Sequence, residues 1–435
     1  MQTVVAPTRI DHAVAQLDAW LDTMRAPTGY AGPVAHWWQQ SLLYAGVGLD
    51  WRYEGIITGY LTLWQRTQEP RWLIKARRAG DDLLAGQLAD GHYAASAFEI
   101  NPATAGTPHE AACDVGLLLL ALALRQAGQS GWQPYAAAAE RNLRQFYIGQ
   151  LWDAQAGAFR DDPRTPSFVP NKAATACEAL FLLAEMSGDS AWIERYSLPT
   201  LDRLIAHQVR GGRLDGAIAQ NSFGAQRVEK YFPIYMARCI PALLRAYQWT
   251  AHQRYLDCAL RTLACIARWA EPDGALPTVI YPNLRCNRYP SWIAALGDVL
   301  RAADLLRPYG SAIDLAATRQ RLLDGQDRSG GIQTARGFAA QAGGRPAAQP
   351  DVRDVLHVVG WCDKALRYLA AHTSPEMTET VAPQDFEIDC TFQKRALRLR
   401  ETATMLEITS RDATLYRWRK GTSWPEIAAR EFWLR

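Results

Sequence analysis

The chain has 435 residues, of which 49% are hydrophobic and 21% are charged. A chain of this length can form one large core or about two to three domains. Its formal net charge is +3. So small an excess of positive charge argues against a nucleic-acid partner.

Targeting and redox features point to a cytoplasmic protein without a membrane partner. The sequence has no run of about 18 uncharged apolar residues, and its first ten residues lack a basic region followed by an apolar stretch. The eight cysteines include no Cys-x-x-Cys pair. We therefore expect buried free thiols and no zinc site or disulfide framework.

The first predicted element is an amphipathic helix over residues 10–26, in which Ile10, Val14, Leu17 and Leu21 recur at helical spacing. Further polar helices follow it along the chain. Most of them end in a turn that contains glycine, such as Asp90-Gly91, and Gly suits a tight turn that needs a positive φ. These helices are predicted over residues 70–88, 133–150, 190–208, 252–270 and 312–324.

Six stretches share another layout, in which a long polar loop leads directly into an apolar helix. They recur with a period of roughly 60 residues, as expected of a repeat whose loops vary in length. The loops 92–108 and 332–350 are long for simple connections, and long loops on a rigid scaffold are often functional. The stretches begin near Glu54, His109, Asn171, Glu229, Arg288 and Asp354.

The two helix classes differ in their residue composition. The helices after the long loops combine small residues, such as Gly55, Gly116 and Gly297, with large apolar ones, as close contact on several sides requires. The others carry a polar face. We therefore predict an all-α fold, an (α/α)6 toroid of six helical hairpins over residues 1–375. In such a toroid the long loops and the starts of the six inner helices surround one mouth.

The sequence changes in character after Pro375. Segments 385–392, 396–400, 405–409 and 414–418 alternate apolar and polar residues, which predicts short strands. We expect residues 376–435 to form a small C-terminal β appendage, either folded alone or packed against the ring.

These features resemble the six-hairpin, (α/α)6-toroid glycosidase-like superfamily, which includes unsaturated uronyl hydrolases, sugar 2-epimerases and the toroid domains of polysaccharide lyases. The resemblance covers residues of about 10–372 through the repeat, the turns and the helix textures. Asp114-Val-Gly-Leu117 is similar to the Asp-Ile-Gly-Phe segment that carries a functional aspartate in unsaturated glucuronyl hydrolases. That family has a catalytic aspartate on the third inner helix, where this sequence reads Asn171-Lys-Ala-Ala-Thr-Ala-Cys-Glu178.

The resemblance implies a carbohydrate-active enzyme, and hydrolysis is the first hypothesis. Cleavage of a glycosidic bond needs one carboxylic acid to protonate the leaving oxygen and a second carboxylate as base or nucleophile. Asp114, Glu54 and Glu229 are the candidates, because each is predicted near the start of an inner helix. The alternative for each is a capping role or an ion pair. The substrate would be an oligosaccharide or an unsaturated uronide, and no metal or other cofactor is expected.

A lyase or epimerase is the second hypothesis. Such chemistry needs a base such as His or Tyr and a donor that neutralises developing charge. His109 and Tyr231 are its catalytic candidates. Aromatic rings that stack on sugars, and polar groups that bind them, are expected among Trp51, Glu110, Asn171, Arg288, Trp292, Asp354 and His357.

A glycan-binding toroid without catalysis is the third hypothesis. A carboxylate pair about 5 to 10 Å apart in the mouth would favour hydrolysis. A His–Tyr–Arg cluster without such a pair would favour elimination or epimerisation. Neither cluster, with the mouth closed by loops, would favour binding. The sequence does not indicate an oligomeric state.

Overall fold

Thirteen of the helices in the described residues alternate between an apolar and a polar class along the chain, as the repeat predicts, with two consecutive helices together forming one apolar member. In the computed structural model these helices, with short strands between them, precede a C-terminal sheet. In the described part of the chain, no helix is both long enough and apolar enough to cross a membrane. The structure describes residues 8–35, 46–95, 106, 109–340, 345–411, 413–422 and 424–428.

The apolar helices pack in a cyclic order. Each contacts the next along the chain, and the last, α14, packs against both α11 and α2. The predicted close approaches are confirmed, because a Cβ on Gly55 would overlap Asp363 and one on Gly297 would overlap the backbone of Lys364. These inner helices are α2 (Arg52–Thr67), α4 (Glu110–Gln126), α6 (Pro170–Ser187), the pair α8 (Pro233–Ala237) and α9 (Ile240–Thr250), α11 (Leu296–Leu306) and α14 (Val359–Ala370).

Each polar helix packs on the outside of its inner partner, α1 on α14, α3 on α2, and so on around the ring. Two of them continue through π-helical turns, over Leu143–Leu151 and Ile193–Ser197. The short helix α13 (Val352–Val355) belongs to neither class. The outer helices are α1 (Arg9–Thr23), α3 (Pro70–Ala85), α5 (Gln133–Asn142), α7 (Leu198–Ala206), α10 (Gln253–Arg268) and α12 (Ala316–Asp324).

The glycine turns after the outer helices are confirmed and have a shared packing role. Gly91, Gly216, Gly274 and Gly330 all adopt positive φ. A Cβ on Gly216 would overlap the carbonyl oxygen of Arg261 on α10, the next outer helix. The turns of Gly91, Gly274 and Gly330 approach α5, α12 and α1 in the same way. Each turn therefore contacts the neighbouring hairpin through backbone.

Three of these turns are each held by the side chain of a different glutamine. Gln87 Nε2 donates to Gly91 O and to Ala138 O on α5. Gln208 Nε2 bonds Gly216 O and Cys258 O on α10. Gln326 Nε2 bonds Gly330 O and Ala13 O on α1. Each of these amides thus ties a turn to the backbone of the next outer helix, and the last links the sixth hairpin to the first helix.

Short antiparallel strands line the loops that precede the inner helices, and several join neighbouring loops. Phe168 before α6 pairs with Ser222 before α8, Tyr231 pairs with Ile280, and Trp292 before α11 pairs with Ala335. The strands are β1 (Arg25–Ala26), β2 (Gly29–Tyr30), β3 (Trp152–Asp153), β4 (Ala158–Phe159), β5 (Ser167–Phe168), β6 (Asn221–Phe223), β7 (Gln226–Val228), β8 (Val279–Ile280), β9 (Cys286–Asn287), β10 (Ser291–Trp292) and β11 (Ala335–Arg336).

The C-terminal strands form one antiparallel sheet in chain order, as predicted. Their inward residues, including Leu399, Ile408 and Trp418, join the same hydrophobic core as the helices. The appendage therefore packs against the helices and does not fold alone, which was the other arrangement considered from the sequence. All eight cysteines are free, and all but Cys286 are buried, as expected. The strands are β12 (Phe386–Phe392), β13 (Arg395–Glu401), β14 (Met405–Ser410), β15 (Ala413–Arg419) and β16 (Glu426–Ile427).

Candidate active site

The N-terminal ends of the inner helices lie together, and we call this end of the ring the mouth. Direct contacts link them around the ring. Cys113 Sγ at the start of α4 bonds Asp50 O before α2 at 3.2 Å. Trp51 Nε1 donates to Gly360 O on α14 at 2.8 Å. Groups in the first turns of these helices therefore share one space, as the sequence predicts.

Asp114 is a fully buried carboxyl group in the second turn of α4. Its Oδ1 accepts a hydrogen bond from the Tyr93 hydroxyl at 2.8 Å, whereas Oδ2 has no partner among the described residues. Burial raises the pKa of Asp114 well above its usual value, because little around it favours the charge, and nearby Glu110 adds to the effect. Burial and the lack of a partner for Oδ2 among the described residues therefore both favour the protonated form of Asp114.

Glu110 anchors the loop that precedes α4. It is fully buried, and its carboxylate accepts from His92 Nδ1 at 2.9 Å, Gly106 N at 2.8 Å and Asn142 Nδ2 at 2.7 Å. It also accepts from Tyr93 N. The bond to Glu110 raises the pKa of His92. These contacts indicate a structural role for Glu110 in the first turn of α4, one turn before Asp114, where sugar binding was expected from the sequence.

Replacing Glu110 with Gln should lower the free energy of unfolding by about 2–3 kcal/mol, because an amide donor would then face groups that are themselves donors. Chemical denaturation at 25 °C measures the change. Glu140→Gln is the matched control, since Glu140 forms only an exposed pair with Arg144 and should cost less than about 1 kcal/mol. Equal effects of the two substitutions would contradict the anchoring role of Glu110.

Aromatic rings follow one another across the mouth between α4, α2 and α11. His109 caps α4, with its ring edge-on to Trp51 at 4.9 Å between centroids. Trp51 is half-buried and lies 6.1 Å from Trp361, which lies 5.0 Å from Trp292. Trp292 is only 3% exposed. Trp51 and His109 can therefore contact a ligand, whereas Trp292 mainly packs behind them.

Buried charges cross the interior of the ring below the mouth. Glu54, on the first turn of α2, binds Arg238 Nη2 through Oε2 at 2.6 Å and Arg367 Nη1 through Oε1. Arg238 follows α8, which is not a neighbour of α2 in the ring, so this contact spans the interior. The other two acids bind the same cations, Glu178 to Arg238 at 3.0 Å and Asp298 to Arg367 at 2.5 Å. We call Glu54, Glu178, Arg238, Asp298, Arg301 and Arg367 the central charge network.

Mutual pairing keeps this network ionised. Burial alone would raise the pKa of Glu178, but Arg238 and Arg301 outweigh it and lower that pKa to about 2. The pKa of Asp298 is likewise held below its usual value against burial, mainly by Arg367. Burial and Arg367 lower the pKa of Arg301 to about 10. Glu54, with an arginine on each oxygen, is thus held as a structural carboxylate rather than as a free acid or base.

Three further candidates lie at the edge of the mouth, outside this network. Glu229 is exposed, and its helix begins only at Pro233, so Glu229 is not in a first turn as predicted. Tyr231 exchanges backbone hydrogen bonds with Ile280, and burial raises the pKa of its hydroxyl to about 12. Arg288 is exposed and pairs with Glu271 at 3.3 Å.

Asn171 lies in the first turn of α6 as predicted, half-buried at the mouth. Its carbonyl oxygen accepts from the Thr175 hydroxyl at 2.9 Å. The neighbouring Lys172 pairs with Asp161 at 2.9 Å. Asn171 therefore presents a half-buried amide in the first turn of the third inner helix.

Asp354 and His357 lie before the sixth inner helix, not within it, because that helix begins at Val359. Asp354 caps α13 by accepting from Asp351 N and from Phe338 N, and burial raises its pKa to about 6. His357 lies between Glu401, at 2.5 Å from Nδ1, and Asp327, at 2.9 Å from Nε2. Its bond to Glu401 joins the ring to the C-terminal sheet, which is a structural position.

The central charge network contains the residues that sequence reasoning missed, Glu178, Arg238, Asp298, Arg301 and Arg367. The sequence did contain an indication of them, because charged residues occur within the otherwise apolar inner helices. Such residues are almost never fully buried unless they are paired. Within the described residues, no three His, Cys, Asp or Glu side chains lie close enough to hold a metal ion. Trp37 and Trp38, two further tryptophans that precede the first inner helix and could stack on a sugar, lie outside the described residues.

Comparison with known proteins identifies the fold. No family model matches the sequence, and a search of curated proteins finds no relative. Among solved structures, the unsaturated glucuronyl hydrolase from Bacillus sp. GL1 is similar with a TM-score of 0.59 and 13% identity, over 83% of this chain and 95% of that one.

Two sugar-converting enzymes are similar to the same degree. Cellobiose 2-epimerase from Bacillus thermoamylovorans gives a TM-score of 0.59 at 10% identity, over 83% of this chain and 98% of that one. A D-mannose isomerase gives 0.58 at 14% identity, over 85% and 99%. The chain therefore shares the fold of the (α/α)6-toroid superfamily, which confirms the resemblance seen in the sequence.

Proposed function

We propose that the six hairpins form a closed (α/α)6 toroid over residues 1–375, that its mouth binds a sugar, and that the protein is a cytoplasmic glycoside hydrolase. Residues 376–435 form the appendage in this proposal. The shared fold is common to enzymes that hydrolyse, epimerise and isomerise sugars, so the reaction must be argued from the site.

The environment of the Asp114 carboxyl group carries the choice of hydrolysis, since burial raises its pKa and Oδ2 has no partner among the described residues. A general acid must hold its proton at the working pH, and burial is a physical means of keeping it there. Tyr93 orients the carboxyl group through Oδ1, which leaves Oδ2 as the atom that can deliver the proton. Trp51 and His109 border the same end of the ring and offer surfaces on which a sugar ring can stack.

The state of the other carboxylates favours an unsaturated uronide over an ordinary glycoside. Ordinary glycosidic cleavage needs two carboxyl groups, but Glu54 is held by two arginines and Glu110 by four donors. An unsaturated uronide is an enol ether. The proton of the acid adds to one carbon of the double bond, and water adds to the other carbon and returns a proton to the carboxylate. The resulting hemiketal opens the ring and leaves a hemiacetal, which breaks down with cleavage of the glycosidic C–O bond. One carboxyl group that donates and then regains a proton therefore suffices.

Asp114→Asn should lower kcat on an unsaturated disaccharide by about 10²- to 10⁴-fold, the usual contribution of a general acid. The fold should survive, since the amide has nearly the same shape as the carboxyl group and its oxygen can still accept the hydrogen bond from Tyr93. Activity is followed as loss of the ultraviolet absorbance of the double bond together with release of reducing sugar. Glu229→Gln, at the exposed edge, is the matched control and should retain activity. Full activity in Asp114→Asn would exclude Asp114 as the acid.

Epimerisation or isomerisation of a free sugar is the second candidate, and His109 favours it. The ring of His109 is partly accessible at the mouth and lies edge-on to Trp51, so a histidine base can face a sugar that stacks there. Conversion of a free sugar that disappears in His109→Gln, but not in Asp114→Asn, would replace hydrolysis by this reaction. Absence of any conversion, with binding retained, would identify a glycan-binding toroid.

A further inference from the structure

A cavity that neither Asp114 nor Trp51 lines lies against the outer helix α7. It has a volume of about 330 Å³ and is bounded by the β3–β4 hairpin, the strand β5 and the outer helix α7. This volume is at the lower end of the range for small-molecule sites. The residues that shape it are Asp153, Phe159, Arg160, Pro166, Phe168 and Arg203.

Asp153, the carboxylate in this cavity, already accepts hydrogen bonds through both of its oxygens. Asp153 Oδ2 accepts from Arg160 Nη2 at 2.7 Å and from Arg160 Nε at 2.9 Å. Its Oδ1 accepts the backbone N–H groups of Gln155 and Ala156, each at 3.0 Å. These bonds hold the pKa of Asp153 below its usual value against partial burial. Asp153 and Arg160 therefore neutralise each other and fix the hairpin.

Arg203 is a second guanidinium in the cavity, and its charge is not matched by a direct ion pair. It lies over the face of Phe168 at 4.9 Å from the ring centroid. Its one hydrogen bond among the described residues is a long contact of 3.5 Å to Ala156 O. A guanidinium carries five N–H donors in a fixed plane. Because the guanidinium of Arg203 stacks on Phe168 through its face, its N–H donors lie along its edge. With Asp153 and Arg160 paired to each other, Arg203 gives the cavity a net positive charge.

We propose that this cavity binds a small ligand through an oxyanion, a carboxylate or a phosphate ester, held by Arg203. A planar guanidinium supported on an aromatic face is suited to bidentate binding of either group. Phe159, Pro166 and Phe168 provide an apolar wall for the body of the ligand. The site does not depend on the reaction proposed for the mouth, because neither Asp114 nor Trp51 lines it.

Calorimetry on the full chain at low ionic strength tests this site with glucose 6-phosphate, glucuronate and glucose. We expect at least one of the two anions to bind with a Kd of about 1 mM or tighter. Glucose has no anionic group for Arg203 and should bind this cavity more weakly. Which anion binds distinguishes the phosphate from the carboxylate. Arg203→Gln should weaken that binding at least about tenfold, since it removes a charge-assisted contact.

Arg144→Gln is the matched control. Arg144 also stacks on an aromatic ring, that of Trp192 at 4.2 Å, but it pairs with Glu140 outside the cavity. Its substitution should change the Kd by less than about twofold. Circular dichroism and the thermal midpoint verify that Arg203→Gln is folded. Absence of binding by both anions, or equal affinity in a folded Arg203→Gln, would overturn the proposal without bearing on Asp114.

Discussion

Arg367→Met is expected to lower the free energy of unfolding by about 3–5 kcal/mol, the usual cost of removing one partner from a buried ion pair. Arg367 binds Glu54 and also Asp298, the latter at 2.5 Å, and its side chain is only 2% exposed. Methionine fills much of the same volume but leaves Asp298 without its strongest partner. Urea denaturation measures the difference.

The double substitution Glu54→Gln with Arg367→Met provides the control. If the loss arises from unpaired charge, the double variant should be destabilised by clearly less than the sum of the two single variants, with a coupling of about 1–3 kcal/mol. Additive effects would show that the loss does not arise from the pair between Arg367 and Glu54. A single-variant loss below about 1 kcal/mol would contradict the structural role of the central charge network.

Raising the pH from 6.5 to 10 is expected to remove on the order of 3 kcal/mol of stability through His357. Burial opposes a charge on its ring, but Glu401 and Asp327 outweigh burial and raise the pKa of His357 to about 9. The unfolded chain has a histidine pKa of about 6.5. Its protonation therefore stabilises the fold fully below pH of about 6.5, and that contribution is lost as the pH rises through about 9.

Comparison with His357→Gln isolates this effect, because the other titrating groups are common to both proteins. The difference in unfolding free energy between wild type and variant should shrink across this pH window. The carboxyl group of Glu401 does not titrate between pH 6.5 and 10, because Lys420 and His357 hold its pKa far below that range despite burial. A difference that stays constant with pH would show that His357 is neutral in the folded protein.

Local patterns predicted the repeat, the turns and the C-terminal strands, because each depends on residues close in sequence. The positive φ of Gly91, Gly216 and Gly274 follows from their place after polar helices. The starts of α2, α4 and α6 agree with the predicted stretches. The later stretches were placed too early. Pro233 starts α8 only after an extended segment in which Tyr231 pairs with Ile280.

Partners distant in sequence could not be predicted. Glu54 binds Arg238 and Arg367, and no spacing rule joins positions so far apart. The same holds for His357, whose partner Glu401 lies on a strand of the appendage. A lone histidine in an apolar stretch gives no indication of which carboxylates surround it. The sequence thus placed Asp114 and His109 at the mouth, but not the ion pairs that occupy Glu54.

The glycine turns have a consequence for how this molecule can diverge. Because Gly216 and Gly330 contact the next outer helix through backbone, and Gln208 and Gln326 bond carbonyl groups there, the spacing of adjacent hairpins does not depend on the loops that follow. A loop after such a turn can lengthen, shorten or change its sequence while the circumference of the ring stays constant. The residues around the mouth can therefore be altered, by natural drift or by loop grafting, independently of the scaffold.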